Sequence, residues 1–343
     1  MELGRKIKQL RLGKGLTQEA LAEILNISPQ AISKWETDTA YPDIMLLPQL
    51  SVYFGITIDE LFTLNTASQL ERIEHMLESK RELADQDVQY AQQTLTDLLR
   101  HEGHQAKANQ LLAGLYNHQA KQMHETAKQY ALTALELAPN EKANHVALVE
   151  AANGVFSDWN YYNRHLLCAY YETFIQKNPT CRGGYLWYLD QLIADGRLQE
   201  AGRVLQQLKQ VDSGYISMLY EGKIQKAAGD HAEAFQTWDQ MVGAYPDIWQ
   251  VYLSRGDELV LTEQYPEALL DYQKAIDIQP KPRYIDGYEA MAHVYEIQKD
   301  YKNAILMYEA IIAMTRSEWN ITFGEAIDHP RREIDRLKLI GSK

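Results

Sequence analysis

Apolar residues recur at helical spacing from the start of the chain. Leu3, Ile7 and Leu10 fall on one face, with Arg5, Lys6, Lys8 and Arg11 around it, and predict a first helix that Gly13 and Gly15 interrupt. Thr17 is placed to cap a second helix, with Glu19 in its first turn and Leu21, Ile24 and Leu25 as the apolar stripe, stopping near Asn26. Ser28-Pro29 restarts the pattern, because serine can take the free amides and proline is preformed for the first helical position. A third helix is predicted from Pro29 to about Glu36, and only Ile27 and Ser28 part it from Asn26, so the two helices must cross sharply. A fourth helix is expected around Asp43 to Phe54, and a fifth from the capping box Thr57-Ile58-Asp59-Glu60.

The stretch TQEALAEILNISPQAISKWE resembles the helix-turn-helix of the lambda-repressor-like, or xenobiotic-response-element (XRE), family. Small Ala22 sits where the helices touch, Asn26 where the turn needs a left-handed residue, and Leu21, Leu25, Ile27, Ile32 and Trp35 at the buried positions. The family usually has glycine at the Asn26 site, and asparagine also tolerates that backbone region. The resemblance covers residues 1–64. It implies that the third helix enters the major groove of double-stranded DNA with Ser28, Gln30, Ser33 and Lys34 outward. Gln30 could pair bidentately with adenine, Lys34 donate to guanine or phosphate, and Ser33 serve either base type or the backbone. Gln18 would hold a phosphate. Arg11 and Glu36 match a family pair that joins the first helix to the end of the third, a structural role. Each proposed reader has a plain alternative as an ordinary solvated side chain.

A polar segment, Thr63 to Ser68, lacks a core pattern, and residues 65–68 are taken as a linker to a helical region spanning 69–343. Internal periodicity is clearest in the last third. Pro246 and Pro280, Ala234 and Ala268, Gly222 and Gly256, and Trp238 and Tyr272 all stand 34 residues apart, and the period continues after a two-residue insertion at Tyr288, Ala292, Tyr295, Ala304 and Tyr308. With Tyr265 and Tyr301 before the second helices, these positions resemble the tetratricopeptide repeat, giving units 182–214, 215–248, 249–284 and 285–317. The stretch from Ala127 to Asn140 looks like the end of another repeat, residues 148–181 fit loosely, and residues 69–104 read as a helical hairpin.

A single helix pair cannot bury its apolar face, whereas stacked pairs share a continuous core and line an inner wall with their first helices. The family frame points three side chains per repeat into that groove: Leu186, Asp190 and Ile193; Leu219, Lys223 and Lys226; Leu253, Asp257 and Val260; Glu289, His293 and Glu296. Asp190, Lys223, Lys226, Asp257 and His293 are the polar ligand candidates, and the set suits an extended peptide. The plain alternative is ion-paired neighbours on a solvated wall. Tyr161, Tyr170, Trp187 and Trp238 are expected to pack between helices.

The fold expected is therefore all-α: a five-helix lambda-repressor-like DNA-binding domain followed by a tetratricopeptide-type α-solenoid. The formal charge of −13 looks adverse for DNA until divided by segment, since residues 1–65 carry six basic residues against eight acids, or −2, and the rest lies beyond. A small reader needs only one locally basic face. The two cysteines, Cys168 and Cys181, are too few for a disulfide framework. The chain shows neither a long apolar run nor a charged-then-apolar leader, which predicts a cytoplasmic protein without a membrane segment. It carries no phosphate-binding glycine loop, nucleophile elbow or metal spacing; His101 and His104 read as exposed helix-terminal residues, and Glu258 and Glu263 as solvated acids. No enzyme and no cofactor is expected. The architecture resembles peptide-pheromone-sensing bacterial regulators, which implies a DNA-binding homodimer whose repeats sense a ligand, a short peptide being the candidate. The alternative is a protein-interaction adaptor that uses the repeats, with the helix-turn-helix as a tether.

Overall fold

The computed structural model describes residues 3–61, 66–101, 103–156 and 158–341, the side chains of residues 59 and 60 excepted. The chain is all-α and divides into two compact units, Met1–His124 and Glu125–Lys343.

The first unit begins with α1 (Leu3–Gly13), α2 (Gln18–Ile24), α3 (Pro29–Glu36), a 3-10 turn Ile44–Leu46, α4 (Leu47–Phe54) and α5 (Ile58–Leu61). The caps fall where the sequence places them. Thr17 Oγ1 accepts from the Ala20 amide at 3.1 Å, Ser28 Oγ accepts from the Ala31 amide at 3.3 Å, and Asn26 turns the chain at φ +53°. The expected fourth helix is split, because Asp43 caps Met45 at 2.8 Å and winds one 3-10 turn before α4. Of the fifth helix's capping box, the side chains of Asp59 and Glu60 lie outside the described residues. Leu3, Ile7, Leu21, Ala22, Leu25, Ile32, Trp35, Leu47, Leu50, Phe54 and Leu61 form one core.

The hairpin expected at 69–104 is present as α6 (Thr66–Ser79) and α7 (Asp85–Leu98), packed with the start of α8 (Gln105–Leu137) around Ile73, Leu95 and Leu115. Two expectations need correction here. Residue 65 of the expected linker lies outside the described residues, whereas 66–68 are already helical, because α6 starts a turn before its first buried side chain, Leu70. The stretch Ala127–Leu137 is not a separate second helix of a repeat but the end of one 33-residue helix. Its only internal glycine, Gly114, costs helix propensity without breaking the helix.

The second unit continues through α9 (Lys142–Ala151), α10 (Trp159–Tyr162) and α11 (His165–Lys177) into the repeats. These are α12 (Arg182–Ala194) with α13 (Leu198–Val211), α14 (Ile216–Ala228) with α15 (His231–Ala244), α16 (Trp249–Val260) with α17 (Tyr265–Ile278), and α18 (Asp286–Ile297) with α19 (Tyr301–Glu318). α20 (Glu325–Gly341) closes the stack on α19, burying Ile327, Pro330, Ile334 and Leu337.

Small-against-large packing explains the period. A Cβ on Gly222 would stand 2.2 Å from the Trp238 indole, and one on Gly256 would stand 2.6 Å from the Tyr272 ring. Each aromatic is essentially inaccessible, which is worth roughly 2–3 kcal/mol apiece in apolar burial. In the repeat at 182–214 the sizes are exchanged: Tyr188 on the first helix and Val204 on the second occupy the corresponding positions, both buried. One large aromatic still fills that layer, from the first helix instead of the second, so the repeat stacks although its signature reads weakly. Of the four aromatics expected to pack between helices, only Trp238 does; Tyr161, Tyr170 and Trp187 are mostly exposed.

Candidate nucleic-acid interface and repeat groove

The helix-turn-helix is clamped by one buried ion pair. Arg11 Nε and Nη2 donate to the two oxygens of Glu36 at 2.6 and 2.9 Å, and Nη1 donates to the Leu16 carbonyl at 2.6 Å. The two side chains are 7% and 1% exposed. Burial alone would push the Glu36 carboxyl up, but the hydrogen bonds from Arg11 and Gln18, with the charges of Arg11 and Lys8, bring it below the usual carboxylate range. The Arg11 guanidinium is held protonated, chiefly by its hydrogen bond to Glu36.

Gln18 is engaged within the reader itself. Its Nε2 donates to Glu36 at 2.8 Å, so in the unbound chain the side chain ties the start of α2 to the end of α3. Ser28 is exposed and engaged as the α3 cap. Gln30 and Lys34 are exposed on α3 with no side-chain partner among the described residues, and Ser33 is half-buried beside them. Around them, Arg5 and Lys8 are exposed on α1, while Lys14 is spent on the Tyr53 carbonyl at 2.7 Å and the Tyr53 ring.

Sequence reasoning missed Gly4. A Cβ there would meet the Trp35 carbonyl oxygen at 1.8 Å, so glycine is what lets α1 lie against the last turn of α3. The available signal was a glycine on the same face as the first helix's apolar residues, one turn before Ile7, where no turn is needed.

In the repeats, most of the groove candidates are spoken for. Asp190 accepts from the Tyr220 hydroxyl at 2.9 Å and lies 4.0 Å from Lys223, which also stands 5.1 Å over the Tyr220 ring. Lys226 is paired with Glu258. Asp257 accepts from Tyr272 at 2.8 Å, and desolvation by its surroundings pushes its carboxyl up even though the residue as a whole is exposed. His293 is exposed and takes no side-chain partner among the described residues. Glu296 accepts from Arg336 of α20 at 2.6 Å. Two expectations are corrected: Leu219 is buried in the repeat core, not set on the wall, and Glu258 is buried against Lys226, not solvated. Leu186, Ile193, Leu253 and Val260 are half-buried at the apolar groove positions.

The comparisons with known proteins match these two parts separately. A helix-turn-helix family model fits residues 7–61 and a tetratricopeptide repeat model fits residues 285–318. The HTH-type transcriptional activator BcrR of Enterococcus faecalis is 52% identical over 63 residues, which are 18% of this chain and 31% of BcrR. The HTH-type transcriptional regulator ImmR of Bacillus subtilis (strain 168) is 32% identical over 92 residues, 26% of this chain and 72% of ImmR. The chain belongs to the helix-turn-helix transcriptional regulators. The regulator spans less than a third of BcrR's length, and the identity to both relatives is confined to a small part of its own. Among solved structures, that of Bacillus thuringiensis PlcR in complex with the peptide PapR7 and DNA is 13% identical, with a TM-score of 0.28, and covers 91% of this regulator and 96% of PlcR. Among the described residues, no helix is long and apolar enough to cross a membrane, and no three His, Cys, Asp or Glu side chains gather as a metal site.

Proposed function

We propose that this regulator binds double-stranded DNA sequence-specifically as a homodimer, reading bases with Gln30 and Lys34 and acting by binding, not catalysis. Ser28, Ser33 and Gln18 supply backbone contacts, Gln18 by exchanging Glu36 for a phosphate. The observation that carries the reading is the pairing of a clamped scaffold with exposed readers: Arg11, Gln18 and Glu36 fix α3 against α1 and α2, while Gln30 and Lys34 stand exposed on it, without a side-chain partner among the described residues. A rigid element presenting uncommitted donors is what base-edge recognition needs, since each good bidentate pair discriminates by about 1–3 kcal/mol.

The domain division that goes with this reading is a reader over 1–64 and a helical-repeat region over 69–343. The repeats are the ligand-responsive part, with a short peptide as the candidate ligand. The apolar row Leu186, Ile193, Leu253 and Val260 and the uncommitted His293 support that reading; the paired state of Lys223 and Lys226 means that a ligand carboxylate must compete with Asp190 and Glu258. A cytoplasmic location follows from the target. The test is DNA occupancy across the genome of the tagged protein against a Gln30→Ala/Lys34→Ala variant in the same cells. Peaks over a two-fold-symmetric site that vanish in the variant are expected; peaks unchanged in the variant would overturn the assignment of the readers.

A further inference from the structure

Helix α8 carries two apolar stripes. One, Ala108, Leu111 and Leu115, is buried against α6 and α7. The other runs Ala113, Tyr116, Ala120, Met123, Ala127, Tyr130, Ala134 and Leu137, in steps that alternate three and four residues without a break. That alternation averages about 3.5 residues, the period that keeps one row of side chains facing a partner helix along a left-handed supercoil. The four large residues of this row are nevertheless mostly exposed: Tyr116, whose hydroxyl accepts from Gln92 of α7 at 3.0 Å, is 51% exposed, Met123 66%, Tyr130 75% and Leu137 83%. Scattered exposed apolar residues need no explanation, but an ordered row over three heptads does.

The order of sizes says what fits it. Large residues recur every seven positions, and an alanine follows each of the first three after four. An antiparallel second copy sets Tyr116 against Ala134, Ala120 against Tyr130, Met123 against Ala127 and Ala113 against Leu137, each pairing occurring twice about one axis near residue 125. A parallel copy would set tyrosine on tyrosine and alanine on alanine, forcing the axes apart at one layer and leaving gaps at the next. The positions that flank the row, Asn117, Gln119, His124, Thr126, Ala131 and Thr133, include no lysine, arginine or carboxylate, so no like charges meet across the seam, and Glu125 points away, about 200° round the helix from Met123.

The area is sufficient. With large side chains offering about 150–250 Å² each when fully bare, the row supplies on the order of 600 Å² per copy, and two copies clear the roughly 1,000 Å² that a specific interface needs. We propose that this stripe of α8 is the seam on which a second copy of the regulator docks, antiparallel and in this register. The inference rests on the homodimer reading above and assigns it a surface.

The test co-expresses two full-length chains, one carrying Met123→Cys and the other Ala127→Cys, both with Cys181→Ser to remove the exposed native thiol; Cys168 is buried and is kept. Mild oxidation should link one chain of each kind at least tenfold faster than either variant links to itself, because a disulfide needs Cβ atoms about 3.8 Å apart. Self-linking of Met123→Cys alone would mean a parallel seam, and no linking in any mixture would mean a different face; either overturns the proposal. As a second measurement, light scattering on an Ala127→Lys/Tyr130→Lys variant should show dimer dissociation shifted by at least 100-fold, with an unchanged melting profile, since both positions are exposed. A variant that stays dimeric overturns the seam and leaves the DNA reading intact. A monomeric variant beside a wild-type dimer that ignores duplex DNA supports the seam and overturns the DNA reading.

Discussion

Removing one half of the Arg11–Glu36 pair should release α3 from the rest of the reader. In Arg11→Met the carboxylate of Glu36, 1% exposed, loses two charge-assisted hydrogen bonds and keeps only Gln18. Breaking a buried pair in this way costs about 3–5 kcal/mol, because a charge is stranded out of water, whereas replacing both partners with apolar groups is close to neutral. Hydrogen exchange on the full-length protein reads this locally, since opening of residues 3–61 can be followed apart from the repeats. At about 1.4 kcal/mol per tenfold, exchange of the slow amides in α1–α4 should accelerate by two to three orders of magnitude in Arg11→Met and in Glu36→Met, and by less than tenfold in the double variant. The double variant should still bind DNA, because α3 stays packed and Gln18 no longer has to leave Glu36 to reach a phosphate. Single variants that exchange within threefold of wild type, or a double variant as open as the singles, would refute the clamp.

Three other outcomes follow from the same structure. Gly222→Val drives a side chain into the Trp238 ring and should lower stability by about 1–3 kcal/mol in denaturant unfolding, with Trp238→Leu restoring part of it when combined. Asn26→Gly should be within about 0.5 kcal/mol of wild type and Asn26→Ala should cost about 1 kcal/mol, because φ of +53° suits asparagine and glycine but not a Cβ without a side-chain hydrogen bond. For pH, Glu36 has a folded value below its ordinary 4.5, so its contribution is present above that pH and is lost as pH falls through the lower folded value. Exchange in residues 3–61 should therefore rise on acidification below about pH 4.5, more in wild type than in Glu36→Gln, and equal slopes would contradict it.

What the sequence revealed was local. Thr17 and Ser28 act on amides three residues on, Asn26 turns its own backbone, and Gly222 with Trp238 repeats at 256 and 272, so all were legible without a fold. What it concealed depends on partners distant in the chain. Gly4 is explained only by the Trp35 carbonyl, Glu258 only by Lys226 a repeat earlier, and Leu219 only by the core it joins. The Tyr188–Val204 exchange hid a repeat because the buried aromatic sits on the first helix instead of the second. Gln18 fits a phosphate by resemblance, yet unbound it is held by Glu36, a competition that spacing alone does not show. The α8 row was visible as letters, but whether it faced a core or solvent was settled by burial.

Whether α3 reads duplex DNA is decided by selection of random double-stranded oligonucleotides on the purified full-length protein, run beside Gln30→Ala/Lys34→Ala. The wild type should enrich a two-fold-symmetric site, and the folded variant should bind that site at least tenfold more weakly. No enrichment above the starting pool, or equal binding by the variant, would contradict it.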